Sequence, residues 1–253
     1  MTPTPRSHPA QAGARAPVGS RVYAALDTVE LDRALALARA LEGAVGGLKI
    51  GLELFGAHGP GGLKALAHAG LPLFLDLKLH DIPNTVASAV RAVSPLAPAI
   101  LTLHAAGGPA MLRAAKDAAI EAARNAKVPP MKLVAVTVLT SLDEGDLARM
   151  GQAGPVADQV LRLAELAQEA GIDGVVCSPQ EVALLRTRCG PGFLLVVPGI
   201  RPSWAEAGDQ KRVMTPKEAI EAGADFLVVG RPITKAADPR AAALRIAAEL
   251  VEP

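Results

Sequence analysis

The sequence predicts a single-domain α/β protein of the (β/α)8, TIM-barrel class. Three observations lead there: eight short apolar runs alternate with helical patterns, no gap between units is wide enough for a linker, and polar residues gather just after the apolar runs. Strands alternating with helices imply βαβ units and a parallel sheet. Runs that are almost wholly apolar suit a sheet covered on both faces. A chain of 253 residues matches the usual size of such a barrel.

The units follow in order. Residues 22–26 form the first strand, ending at Asp27, and residues 31–41 carry apolar side chains at helical spacing. Residues 48–50 form a second strand between Gly46-Gly47 and Gly51. The glycine-rich residues 56–62 match no dinucleotide fingerprint and read as a loop before a helix over 63–69, which Gly70 ends. The third strand spans 73–78, and Pro83 opens a helix running to 93. Residues 100–104 and 132–139 are the fourth and fifth strands, with helices over 111–124 and 155–170. Residues 174–177 and 193–197 are the sixth and seventh strands, with a helix over 179–188 between them. Thr215-Pro216-Lys217-Glu218 reads as a capping box with proline at the first helical position. The eighth strand spans 226–229 and the last helix 239–251. Residues 1–20 are rich in Pro, Ala, Gly and Arg and read as a disordered arm, leaving 21–253 as the barrel domain.

Composition removes several function classes. The net charge is +1 and aromatic residues make up 2% of the chain, so there is neither an electrostatic footprint nor a set of stacking platforms for nucleic acid. No apolar run approaches the ~18 residues needed to span a bilayer, and no membrane partner is expected. The arm lacks the continuous apolar stretch of a secretory signal, which points to a cytoplasmic protein. Cys177 and Cys189 share no metal-ligand spacing and read as reduced thiols. The core must be built from Ala, Leu and Val. No His, Asp and Glu cluster has metal spacing, and Ser141 and Ser178 lack a nucleophile elbow.

In this fold working residues stand at the C-terminal ends of strands. Asp27, Lys49, Asp76, Lys78, His104, Thr140, Ser141, Arg201, Gly230 and Arg231 all fall there, and the strand starts carry no comparable charged set. The third strand is the focus. Asp76 and Lys78 are two residues apart and should share a face, while Leu75, Leu77 and Leu79 take the other. Asp81 follows before Ile82-Pro83-Asn84-Thr85. Charges crowded into one space mark a working site. Arg201 after the seventh strand and Gly230-Arg231 after the eighth suit a phosphate, since glycine admits close backbone approach and arginine donates in a fork. The polar loop over 202–213, with Trp204, Gly208 and Gln210, suits a lid.

These residues resemble a known family. Asp76-Leu77-Lys78-Leu79-His80-Asp81-Ile82-Pro83-Asn84-Thr85 is similar to the signature of the orotidine 5′-phosphate decarboxylase family, bacterial type. Ala25-Leu26-Asp27, Leu48-Lys49-Ile50-Gly51, Leu103-His104-Ala105, Val197-Pro198-Gly199-Ile200-Arg201 and Val229-Gly230-Arg231-Pro232-Ile233 follow in the family's order. The resemblance implies cofactor-free decarboxylation of orotidine 5′-monophosphate to UMP, in a homodimer with shared active sites. It implies that Lys78 donates the proton to C6 within an alternating network of Lys49, Asp76, Lys78 and Asp81, with Asp81 supplied by the other subunit. It implies further that Asp27 and Lys49 hold the ribose, Thr140 lies near the pyrimidine, and Gln210, Gly230 and Arg231 surround the phosphate with Arg201 beside them. Ile82 and Thr85 would complete the partner's pocket.

Overall fold

The structure, a computed structural model, describes residues 21–152, 154–205 and 214–250. The expected arm over 1–20, most of the expected lid and Gln210 lie outside the described residues. Among the described residues eight parallel strands close into a barrel in chain order: β1 Val22–Ala25, β2 Gly47–Ile50, β3 Leu73–Leu79, β4 Ile100–His104, β5 Lys132–Val136, β6 Gly174–Val176, β7 Leu194–Val197 and β8 Phe226–Val229. β8 returns to β1 with Tyr23 opposite Val228, which closes the ring.

The helices are α1 Leu31–Ala40, α2 Leu52–Ala67, α3 Pro83–Val93, α4 Gly108–Ala126, α5 Glu144–Arg149, α6 Val156–Glu169, α7 Val182–Cys189, α8 Pro216–Glu221, α9 Arg231–Thr234 and α10 Pro239–Glu249. α3 begins at its proline as expected, and its buried Val86, Ala87, Val90 and Val93 form the stripe that meets the barrel. The capping box before α8 is present, with Thr215 Oγ1 accepting from Glu218 N–H and Glu218 Oε2 accepting from Thr215 N–H. None of the described helices is long and apolar enough to cross a membrane.

Two cores result. The outer one, between strands and helices, is built of Leu, Ala and Val, as the composition requires. The inner one fills the barrel with Tyr23, Ala25, Phe74, Ile100, Val134, Val196 and Val228. The scarce aromatics concentrate here. The Tyr23 ring meets Phe74 and Phe226 edge-on, with centroids 5.8 and 5.5 Å away, a favoured geometry for aromatic pairs. Gly47 makes room for this plug, because a Cβ there would stand 2.3 Å from the Tyr23 ring and 2.5 Å from the Pro72 carbonyl oxygen.

Three expectations need correction. Residues 56–62 are not a loop but belong to α2, which kinks at Gly59 (φ 54°, ψ −153°) and resumes with Pro60. Proline suits the first turn of the resumed helix, and glycine tolerates the break before it. α5 and α9 escaped detection because four to six residues are too few to show a period, although Asp143 and Asp146 cap α5 reciprocally. The strand starts do carry charges: Asp173 is bound by Lys116, Lys132 and the Leu133 N–H, and Arg186 grips Asp225 and three backbone carbonyls. These groups satisfy backbone and one another at the closed end of the barrel.

Candidate active site

The open end is shaped by β3. Leu75 pairs with Leu101, but the next pair is Leu79 with Leu103, so four steps along β3 match two along β4. The strand bulges, and Lys78 takes a left-handed backbone, φ 50°. That conformation costs a non-glycine residue about 1–2 kcal/mol. Plain alternation of Asp76 and Lys78 on one face is therefore broken, yet their side chains meet. Lys78 Nζ donates to Asp76 Oδ1 at 2.8 Å.

The pair belongs to a chain of charges. Lys49, the third residue of β2, lies 3.4 Å from Asp76 Oδ2 and 3.5 Å from Asp27 Oδ1, just past the end of β1. The order Asp27–Lys49–Asp76–Lys78 alternates in sign across three adjacent strands. Asp76 is buried, whereas the Asp27 side chain is 61% exposed, so the network runs from water into the barrel. Burial alone would raise the Asp76 carboxyl. The charges of Lys49 and Lys78, with hydrogen bonds from Lys78 and Thr102, outweigh it and hold the carboxyl below the ordinary aspartate range. Asp76 is therefore a carboxylate at neutral pH, and Lys78 faces a fixed negative charge.

A cavity of about 240 Å³ opens at this point. Lys49, Asp76, Lys78 and Thr140 supply its polar wall, and Phe74, Val136, Val138, Val176, Val196 and Val228 its apolar floor. The inner core thus ends as the base of the site. Gly230 stands at the same mouth, where a Cβ would lie 3.7 Å from Asp27 Oδ2. Arg231 follows it and is exposed.

The remaining expected residues are arranged differently. Asp81, Ile82 and Thr85 are exposed at the start of α3, Ile82 by 66%. Asp81 accepts from the Ile82 N–H and, among the described residues, makes no ion pair with Lys78 of its own chain. Arg201 is buried, donates to the Ile200 carbonyl at 3.1 Å, and does not line the cavity. His104 packs against His80 with ring centroids 5.5 Å apart. Burial, then His80 and Lys78, holds His104 below its ordinary value against the pull of Asp76. Cys177 reaches the cavity wall, but burial pushes its thiol far above the usual range and leaves it inert.

Sequence reasoning missed one polar residue of the site. Thr102, wholly buried in β4, accepts the Lys78 N–H at 2.8 Å and donates to Asp76 Oδ1 at 3.0 Å. Its signal was a lone hydroxyl inside an apolar strand, which must find partners when buried.

A sequence profile described as the orotidine 5′-phosphate decarboxylase / HUMPS family matches residues 20–246. The chain belongs to that family. Within the orotidine 5′-phosphate decarboxylase / HUMPS family, the protein named orotidine 5′-phosphate decarboxylase of Paramagnetospirillum magneticum is 60% identical over 229 residues, covering 90% of this chain and 97% of the relative. One of the same name from Rhodospirillum rubrum is 57% identical over 231 residues, covering 91% and 94%. The crystal structure of orotidine 5′-phosphate decarboxylase from Lactobacillus acidophilus superposes with a TM-score of 0.80 at 42% identity, covering 91% of this chain and 99% of that one.

Proposed function

We propose that the barrel mouth decarboxylates orotidine 5′-monophosphate to UMP and CO2, a step of pyrimidine nucleotide synthesis, with Lys78 as the proton donor. The family and relatives 53–60% identical over most of the chain carry the reaction. The alternating chain Asp27–Lys49–Asp76–Lys78 at the cavity wall is the observation that supports the assignment of roles.

The chemistry asks for such a group. When the bond from C6 to the carboxylate breaks, CO2 leaves and its electron pair stays on a ring carbon with little resonance relief. An ammonium held at that carbon stabilises the charge as it forms and then gives it a proton. Lys78 is left as an amine and regains its proton from solvent. Asp76 holds the Lys78 ammonium in place before the reaction, and the apolar floor under the pair limits screening by water. Asp27 and Lys49 hold the ribose hydroxyls, Thr140 meets the pyrimidine, and Gly230 and Arg231 grip the phosphate with Gln210, near Arg201. Phosphate binding is remote from C6, and its energy serves orientation of the ring over Lys78.

The exposed Asp81, Ile82 and Thr85 find their use in a second copy of the chain. Placed over the neighbour's mouth, Asp81 would extend the alternating network beyond Lys78. The functional unit is then a homodimer with two shared sites.

Replacement Lys78→Ala tests the donor role. Electrostatic stabilisation by one group is worth about 10²–10³-fold and proton transfer about 10²–10⁴-fold, so turnover should fall by more than about 10⁴-fold. Thermal melting should stay near that of the parent, since Lys49 and Thr102 still satisfy the Asp76 carboxylate. Orotidylate turnover within tenfold of the parent would refute the role.

A further inference from the structure

We propose that Thr102 is a positioning residue for the decarboxylation, its buried hydroxyl setting where the Lys78 ammonium sits. This rests on the reading of Lys78 as the donor.

A hydroxyl has one proton to give and lone pairs to accept with, and Thr102 uses both kinds of bond at once. Its Oγ1 accepts from the Lys78 N–H at 2.8 Å and donates to Asp76 Oδ1 at 3.0 Å. The sense of both bonds is therefore fixed by their partners. Where β3 bulges, Lys78 leaves the regular pairing with β4, and the Thr102 side chain takes the N–H that the ladder does not. One atom thus holds the left-handed backbone from which the lysine side chain starts and the carboxylate on which it ends.

Thr102 is 0% exposed between Leu101 and Leu103, also 0% exposed. Asp76 is faced by Lys49 from β2, by Lys78 from its own strand and by Thr102 from β4. His104 of β4 senses its charge, and Asp27 joins through Lys49. Deleting the hydroxyl leaves all these charges in place and removes a neutral donor to Asp76. A residue that only filled space in the barrel would be replaced without consequence by valine, which has the same shape.

The test compares Thr102→Val, Thr102→Ser and Lys78→Ala in the full chain, by orotidylate turnover, UMP binding and pH profile. Thr102→Val should lower kcat by about 10²-fold, the usual consequence of a small misplacement at a reacting centre. KM and UMP affinity should change by less than about threefold, because the loss is confined to the transition state. Activity lost as pH falls through the Asp76 titration should be lost at higher pH in Thr102→Val, since a bond that favours the carboxylate is gone. Thr102→Ser should restore both kcat and the acid limb. If Thr102→Val fails to bind UMP, Thr102→Ala takes its place with the same expected outcomes. Parental kcat and acid limb in the valine variant would overturn the proposal, as would equal losses in valine and serine. An inactive Lys78→Ala beside an unaffected Thr102→Val removes only the role of Thr102, whereas an active Lys78→Ala removes the donor reading itself.

Discussion

Lys78 combines two features that rarely coincide without a use: a left-handed backbone on a long side chain and a short ion pair to a buried carboxylate. Strain of this kind persists only where surrounding bonds over-determine it, and here Thr102 and Asp76 do so. At the other side of the mouth, Arg231 and Gly230 follow β8, and the proposed phosphate contact is a charge-assisted one. Hydrogen bonds to charged groups are worth about 1.5–3 kcal/mol. Arg231→Ala should therefore weaken UMP binding by about 30-fold while leaving uridine binding nearly unchanged. Calorimetric titration with both ligands checks this, and equal losses would place Arg231 away from the phosphate. Asp27, Lys49, Asp76 and Lys78 were legible in the sequence because charge at the ends of apolar strands has few structural explanations. Thr102 was not, since threonine is ordinary in a strand and nothing in the alternation of β3 announces a bulge. Nor could the sequence tell that Arg201 turns inward to its own backbone while Arg231 stays exposed.

The elements divide in the same way. α3 and β4 occupy the residues expected of them, because a proline start, a helical apolar stripe and a compact β-rich run leave little choice. α2 was misread because its residues 52–62 contain four glycines and one proline, and intrinsic propensity gave way to the packing of Leu54, Leu63 and Leu66. The third strand is where local rules fail for a functional reason: its regular half anchors the barrel, and its bulged half aims the lysine. β2 has a comparable constraint at its start. Gly47→Ala would drive a methyl group into Tyr23 and the Pro72 carbonyl, with no flexible group to yield. Overpacking of that kind should cost about 3 kcal/mol. A drop in melting temperature reports it, and unchanged stability would show that the aromatic plug of Tyr23, Phe74 and Phe226 can shift.

Across the molecule the two barrel ends use charge for different ends. At the closed end, Asp173 and Arg186 tie strands and helices together through backbone groups. At the open end, the charges form a chain of alternating sign around a cavity. Charge counts along the sequence could not separate these, because the difference lies in what each group touches. Asp81, Ile82 and Thr85 are exposed beside the open end, and on the proposed reading the site takes one more carboxylate from a second chain. In a two-fold dimer each subunit would supply that group to its neighbour. Subunit complementation tests this most directly: Lys78→Ala and Asp81→Ala chains are each inactive when alone, then combined as mixed dimers. Random mixing should restore about a quarter of parental turnover, because each mixed dimer carries one site with both Lys78 and Asp81 intact. Mixed dimers that form but stay inactive would contradict a site built from Lys78 of one chain and Asp81 of the other.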